Sequence, residues 1–178
     1  MSFTSTIVIK PFGTKIKMVL QVTGKGDFTL LPKFNEGDFN GYELYLGLLD
    51  ESITQKINSL PSSIHLVSIH TPTWVLVNGR AYPFDLGQLD PIGNISLQAL
   101  EYTVKLALKC DAKIVVVHGA SHNAFLESRE EAMHRLADRV RPLVNKNEVN
   151  LCFETDVLWH NLYYSRRALL TTAEDFSL

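Results

Sequence analysis

Residues Ala112–Asn123 read AKIVVVHGASHN, a continuous apolar run from Ile114 to Val117 that ends in His118 and Gly119. Four β-branched residues in a row predict a strand buried on both faces, as in a parallel sheet flanked by helices. An imidazole at the C-terminal end of such a strand stands where parallel α/β folds carry out their chemistry. The same grammar occurs twice more. HLVSIHTP, residues 65–72, ends a strand in His70, and NLCFETD, residues 150–156, ends one in Glu154. Three strands in succession therefore each deliver a metal-type ligand at the same end.

The remainder of the chain supports βαβ units. TSTIVIK and KIKMVLQVT, separated by Pro11-Phe12-Gly13-Thr14, predict a hairpin or two successive strands, the second being the first strand of the parallel series. Residues 24–40 allow a loop and a short helix, and Gly41–Gly47 reads as a strand. Asp50 is placed to cap a helix over 51–60. Residues 71–93 carry Pro72, Gly79, Pro83, Gly87, Pro91 and Gly93 and predict a long binding loop or lid. Asn94 or Ser96 caps a helix running to Cys110, and HGASHNAFL after the central strand reads as a loop. Ser128-Arg-Glu-Glu131 is a capping box for a helix to about Asn145, kinked or broken late by Pro142. Residues 157–170 predict a loop entering a helix, and Thr172–Asp175 a fresh helix cap.

Composition bounds the function classes. The chain has 178 residues, 46% of them hydrophobic, with a formal net charge of −2, and a mean hydropathy of +0.03. Such values suit a single globular domain over 1–178. They give no electrostatic footprint for non-specific nucleic-acid binding. No apolar run reaches membrane-span length and no secretory signal opens the chain, which predicts a cytoplasmic protein. Cys110 and Cys152 sit in apolar contexts and read as two buried, reduced thiols.

Gly41-Tyr-Glu-Leu-Tyr-Leu, then IHTP, VVVHGA and CFETD resemble, in order and spacing, strands two to five of the xylose-isomerase-like TIM barrels. That superfamily joins sugar isomerases and epimerases to apurinic endonucleases. The likeness spans about residues 14–178. It implies an α/β fold of TIM-barrel-type parallel units, an incomplete barrel of about five to six strands with outer helices. It also implies a pocket at the C-terminal strand ends and a divalent cation, zinc or manganese. By the resemblance Glu154 matches the strand-five metal carboxylate of both branches. His70 and His118 match histidines that are zinc ligands in the endonuclease branch and serve substrate or acid–base roles in the isomerases. Glu43 matches a polar or acidic pocket position.

Two departures bear on the reading. His118-Gly119-Ala120 stands where the endonucleases tend to carry His-Pro-Gly, and Leu178 falls inside what reads as the helix before strand six. The expectation is therefore a fragment, a chain that pairs with its own copy, or a sheet whose edges are covered otherwise.

The candidate residues follow. Glu43 and Glu154 are the catalytic candidates, and His70, His118 and Glu154 the metal ligands. His70, His118, His122 and Trp74 are the substrate-binding candidates. Each also has an ordinary structural reading, as a satisfied polar group at a strand end, an interior carboxylate with a partner, or a loop residue. Arg166-Arg167 reads better as a solvated helix face than as a phosphate contact. Gly24-Lys-Gly26 is too short for a phosphate loop. The leading function is a metal-dependent sugar or sugar-phosphate isomerase/epimerase, with a small-molecule sugar as partner. The alternatives are an apurinic-endonuclease-like zinc phosphodiesterase and a non-catalytic half-barrel that forms homo-oligomers.

Overall fold

The computed structural model of the chain describes residues 3–12, 15–34, 39–118, 120–123, 125–144, 148–154 and 166–169; of 3–23 and 166–168 it gives the backbone path. β1 (Phe3–Phe12) and β2 (Lys15–Gly26) form an antiparallel hairpin, as the Pro-Phe-Gly-Thr punctuation predicts. β2 then pairs in parallel with β3 (Gly41–Tyr45), β3 with β4 (Leu66–His70), β4 with β7 (Ile114–Val117) and β7 with β9 (Asn150–Phe153). The result is a mixed α/β fold built on five parallel strands, extended at one edge by β1. A short 3-10 turn, Leu31–Lys33, links β2 to β3, and α1 (Ile53–Asn58) links β3 to β4. α2 (Ile92–Lys109) leads into β7, and α3 (Arg129–Val144) lies between β7 and β9. Among the described residues no helix is long and apolar enough to cross a membrane.

Strand alternation separates the two faces of the sheet. Leu44, Ile69 and Val115 are paired neighbours on one face, and each is 0% exposed. With Val117 they pack against Leu100, Val104 and Ala107 of α2 in one apolar cluster. Burying each such Leu or Ile side chain contributes roughly 1.5–3 kcal/mol. The opposite face carries Glu43 beside Ser68, and Tyr45 beside His70, Val116 and Cys152.

This division corrects the expectation that Ile114–Val117 is buried on both sides. Val115 and Val117 are buried, whereas Ile114 and Val116, on the polar face, are only partly so. Both cysteines are free, as expected, but Cys110 is half-buried and Cys152 is exposed on that same polar face.

Four local expectations also change. Residues 71–93 are not a featureless loop: β5 (Trp74–Val77) and β6 (Arg80–Pro83) form an antiparallel hairpin. Its two-residue turn is Asn78-Gly79, with φ of 50° and 77°, the left-handed pair that a type I′ turn requires. Helix α2 begins at Ile92, ahead of both proposed caps. The Ser96 hydroxyl instead accepts the backbone N–H of Asp85 at 2.9 Å. Ser121–Asn123 is a strand, β8, antiparallel to β10 (Arg166–Ala168), where a loop and a helix face were expected. The capping box holds as predicted: Glu131 Oε2 accepts the Ser128 N–H at 2.8 Å, and the Glu131 N–H donates back to Ser128 Oγ at 3.2 Å. Pro142 lies within the last turn of α3. Asp156, His160 and Thr172–Asp175 lie outside the described residues.

Candidate metal centre

His70 is the last residue of β4, His118 follows β7 and Glu154 follows β9. Two hydrogen bonds extend the ladder beyond the strands: Thr71 N–H donates to Val116 O at 2.8 Å, and Glu154 N–H to Val117 O at 2.9 Å. His118 and Glu154 thus stand level on neighbouring strands about 4.8 Å apart, and His70, paired with Val116, stands two residues earlier along the same face. One potential ligand atom from each lies within 4.8 Å of the other two.

The environment of His70 fixes its tautomer. It is 0% exposed, and its Nδ1 lies 3.0 Å from the carbonyl oxygen of Thr71. A carbonyl can only accept, so Nδ1 carries a hydrogen. The Nε2 atom, which has no hydrogen-bond partner, is turned to Glu154 Oε2 at 3.2 Å. A carboxylate oxygen is also an acceptor. Two lone pairs face each other there unless a cation or an added proton lies between them.

His118 completes the group. Its ring centroid is 4.3 Å from that of His70, its Nδ1 is 3.9 Å from Glu154 Oε2, and its Nε2 is buried without a partner. Burial, with the neighbouring His70 adding to it, pushes the imidazole pKa down to about 4 against the opposing pull of Glu154. His118 is accordingly neutral at pH 7, the form that ligates metal. A hydrogen bond from His70, made when its Nε2 takes up the added proton, holds the Glu154 carboxyl below the usual range despite its partial burial, and the Lys25 ammonium adds to the effect. The Glu154 side chain is 47% exposed, so the group is open to solvent on one side.

Two imidazoles and a carboxylate are a donor set suited to zinc or manganese. A tetrahedral zinc ion with bonds of about 2.0–2.1 Å separates its ligand atoms by about 3.3 Å. The 3.2 Å between His70 Nε2 and Glu154 Oε2 matches that spacing, and the 3.9 Å between His118 Nδ1 and the same oxygen is longer. Three protein ligands leave one position for water or substrate.

The sheet's polar face adds a second cluster. Lys25 Nζ is 3.0 Å from Glu43 Oε1 and 3.9 Å from Glu154 Oε1. The other oxygen of Glu43 accepts the Ser68 hydroxyl at 3.1 Å, so both Glu43 oxygens are engaged at a site only 7% exposed. Tyr45 lies beneath the Lys25 ammonium, 5.4 Å from ring centroid to Nζ, and its hydroxyl hydrogen-bonds Thr73.

His122 and Trp74 are not brought to this group. His122 is buried within β8, opposite Arg167. Trp74 is 46% exposed and lines a groove of about 430 Å³ with Leu48, Leu76, Gln98 and Tyr102. Sequence reasoning passed over Lys25 and Thr71. Lys25 stands near the C-terminal end of the first parallel strand, the position that marked His70, His118 and Glu154 on the later strands. Compared with known proteins, the chain matches no family model, and no curated protein matches it significantly.

Proposed function

We propose that the chain is a metal-dependent enzyme domain of the sugar or sugar-phosphate isomerase/epimerase type, with a divalent cation held by His70, His118 and Glu154. The observation that carries this reading is the buried His70 Nε2, without a hydrogen-bond partner and 3.2 Å from a solvent-open carboxylate that His118 Nδ1 also approaches. The strand order supports it as well. Successive parallel strands are neighbours in the sheet, the winding of a barrel rather than of a doubly wound sheet, and the candidate site lies at their C-terminal ends.

When bound, the cation would act as a Lewis acid on substrate oxygens in its open position. The chain's own residues supply the rest. Thr71 O fixes the His70 ring through Nδ1, the Tyr45 and His118 rings pack against it, and Glu43 holds Lys25 over the same face.

One observation favours a second reading, the zinc phosphodiesterase. Both histidines approach a single carboxylate oxygen, which is the ligand role that the endonuclease resemblance implies for them. Elemental analysis of the purified chain, followed by assays on aldose and ketose phosphates and on an abasic-site oligonucleotide, separates the readings. About one zinc or manganese per chain with sugar-phosphate turnover supports the first, and strand cleavage the second. A protein that takes up no metal overturns both and leaves the non-catalytic scaffold.

A further inference from the structure

The carboxylate of Glu154 divides its two oxygens between two clients. Oε2 faces His70 and His118, and Oε1 faces the Lys25 ammonium. Lys25 is itself positioned rather than loose. Its strand pairs it directly with Glu43, whose carboxylate lies 3.0 Å away and is held from behind by Ser68, while the Tyr45 ring supports the ammonium from below. Its side chain is 22% exposed, so the charge is sheltered yet reachable. Lysine offers three donors; one meets Glu43, and Glu154 at 3.9 Å is a long, weak partner.

We infer that Lys25 is a substrate-binding residue that selects anionic ligands, with Glu43 as its positioning residue. This rests on the proposed metal reading. A cation on the Oε2 side and an ammonium on the Oε1 side of one carboxylate place two positive centres within reach of one small molecule. A neutral polyol gains from the ammonium only a hydrogen bond to an uncharged oxygen. A carboxylate placed next to a metal-ligating hydroxyl gains a charge-assisted hydrogen bond. The substrate class is therefore an acid of the 2-hydroxy or 2-keto type, or a sugar derivative bearing an anionic oxygen beside the ligating one. The catalytic assignment of Glu43 changes accordingly, because both of its oxygens are occupied in holding Lys25 and Ser68.

The test is calorimetric titration of glycolate and of ethylene glycol into the manganese-loaded full chain, for wild type, Lys25→Met and Glu43→Gln, with manganese affinity measured separately. The wild type is expected to prefer glycolate. Lys25→Met is expected to lose about tenfold or more of glycolate affinity, lose much less affinity for ethylene glycol, and bind manganese as tightly or more tightly, since a like charge is removed. Glu43→Gln is expected to weaken glycolate binding by a smaller factor. Equal glycolate affinity in wild type and Lys25→Met overturns the assignment. Loss of glycolate and manganese binding together in a folded Lys25→Met also overturns it, by showing a merely structural role. Should the wild type bind no manganese, the metal reading fails by itself. Glycolate binding to the metal-free chain that Lys25→Met abolishes would still support Lys25, whereas binding equal or absent in both would overturn it.

Discussion

His70 Nε2 and Glu154 Oε2 approach to 3.2 Å while His70 Nδ1 faces the Thr71 carbonyl on the other side of the ring. An imidazole held in this way presents a bare nitrogen to an acceptor, an arrangement that a divalent cation stabilises. His70→Ala and Glu154→Gln are each expected to lower manganese or zinc affinity by more than about 100-fold, beyond the 10–100-fold typical of residues that only support ligands. Competition against a chromogenic chelator measures this. Affinity within threefold of wild type in either variant would remove that residue from the ligand set.

His118 gives a pH prediction. Its pKa is 6.5 when unperturbed and about 4 in the folded chain, chiefly through burial. Between those values the unfolded chain binds the additional proton, so the contribution to stability falls as pH drops from about 6.5 to 4. The loss is at most about 3 kcal/mol. Urea unfolding of wild type and His118→Asn at pH 7 and pH 4.5 isolates it from the carboxylates common to both. The wild type should lose more stability between the two pH values than the variant; equal losses would place His118 in solvent.

The hairpin turn gives a backbone prediction free of packing. An added Cβ meets nothing within 4 Å at Gly79 or at Gly47, but only Gly79 has a left-handed φ, +77°. Gly79→Ala should therefore cost about 1 kcal/mol, and Gly47→Ala should be neutral or slightly stabilising. Denaturant midpoints for the two variants decide it.

Arg139 ties α3 to the segment leading into α2. Its Nη1 donates to the carbonyls of Leu86 and Gln88, both at 2.6 Å, and its Nη2 to Asp90 at 3.0 Å. Arg139→Met keeps most of the side-chain volume and strands two carbonyls, so a cost of about 1–3 kcal/mol is expected. Arg139→Lys should recover only part of it, because an ammonium cannot reproduce the planar fork. Full recovery by lysine in thermal unfolding would reduce the contact to charge alone.

Much of this architecture was legible because it follows from local rules. Apolar runs ending in His70, His118 and Glu154 fixed three neighbouring strands and the end at which these three side chains gather. Ser128 and Glu131 marked a helix start through a reciprocal pair of hydrogen bonds. What escaped depended on context. The Asn78-Gly79 turn lay within so much proline and glycine that the alternation of Trp74–Val77 around it was read as loop. Ser96 looked like a cap, yet its hydroxyl serves a distant backbone amide. The β8–β10 pairing joins segments more than forty residues apart along the chain, each only three residues long, too short for periodicity to register. Lys25 was weighed only against phosphate-loop spacing, although its place near the end of a parallel strand carried the signal.

The separation of the sheet into an apolar side under the helices and a polar side bearing Lys25, Glu43, His70 and Glu154 has an evolutionary consequence. Folding and chemistry are encoded by alternate residues of the same strands, so selection can act on one set while leaving the other in place. A lineage carrying this chain is free to rewrite the chemistry of its strand ends by changing every second residue at a few positions, and to keep its shape throughout.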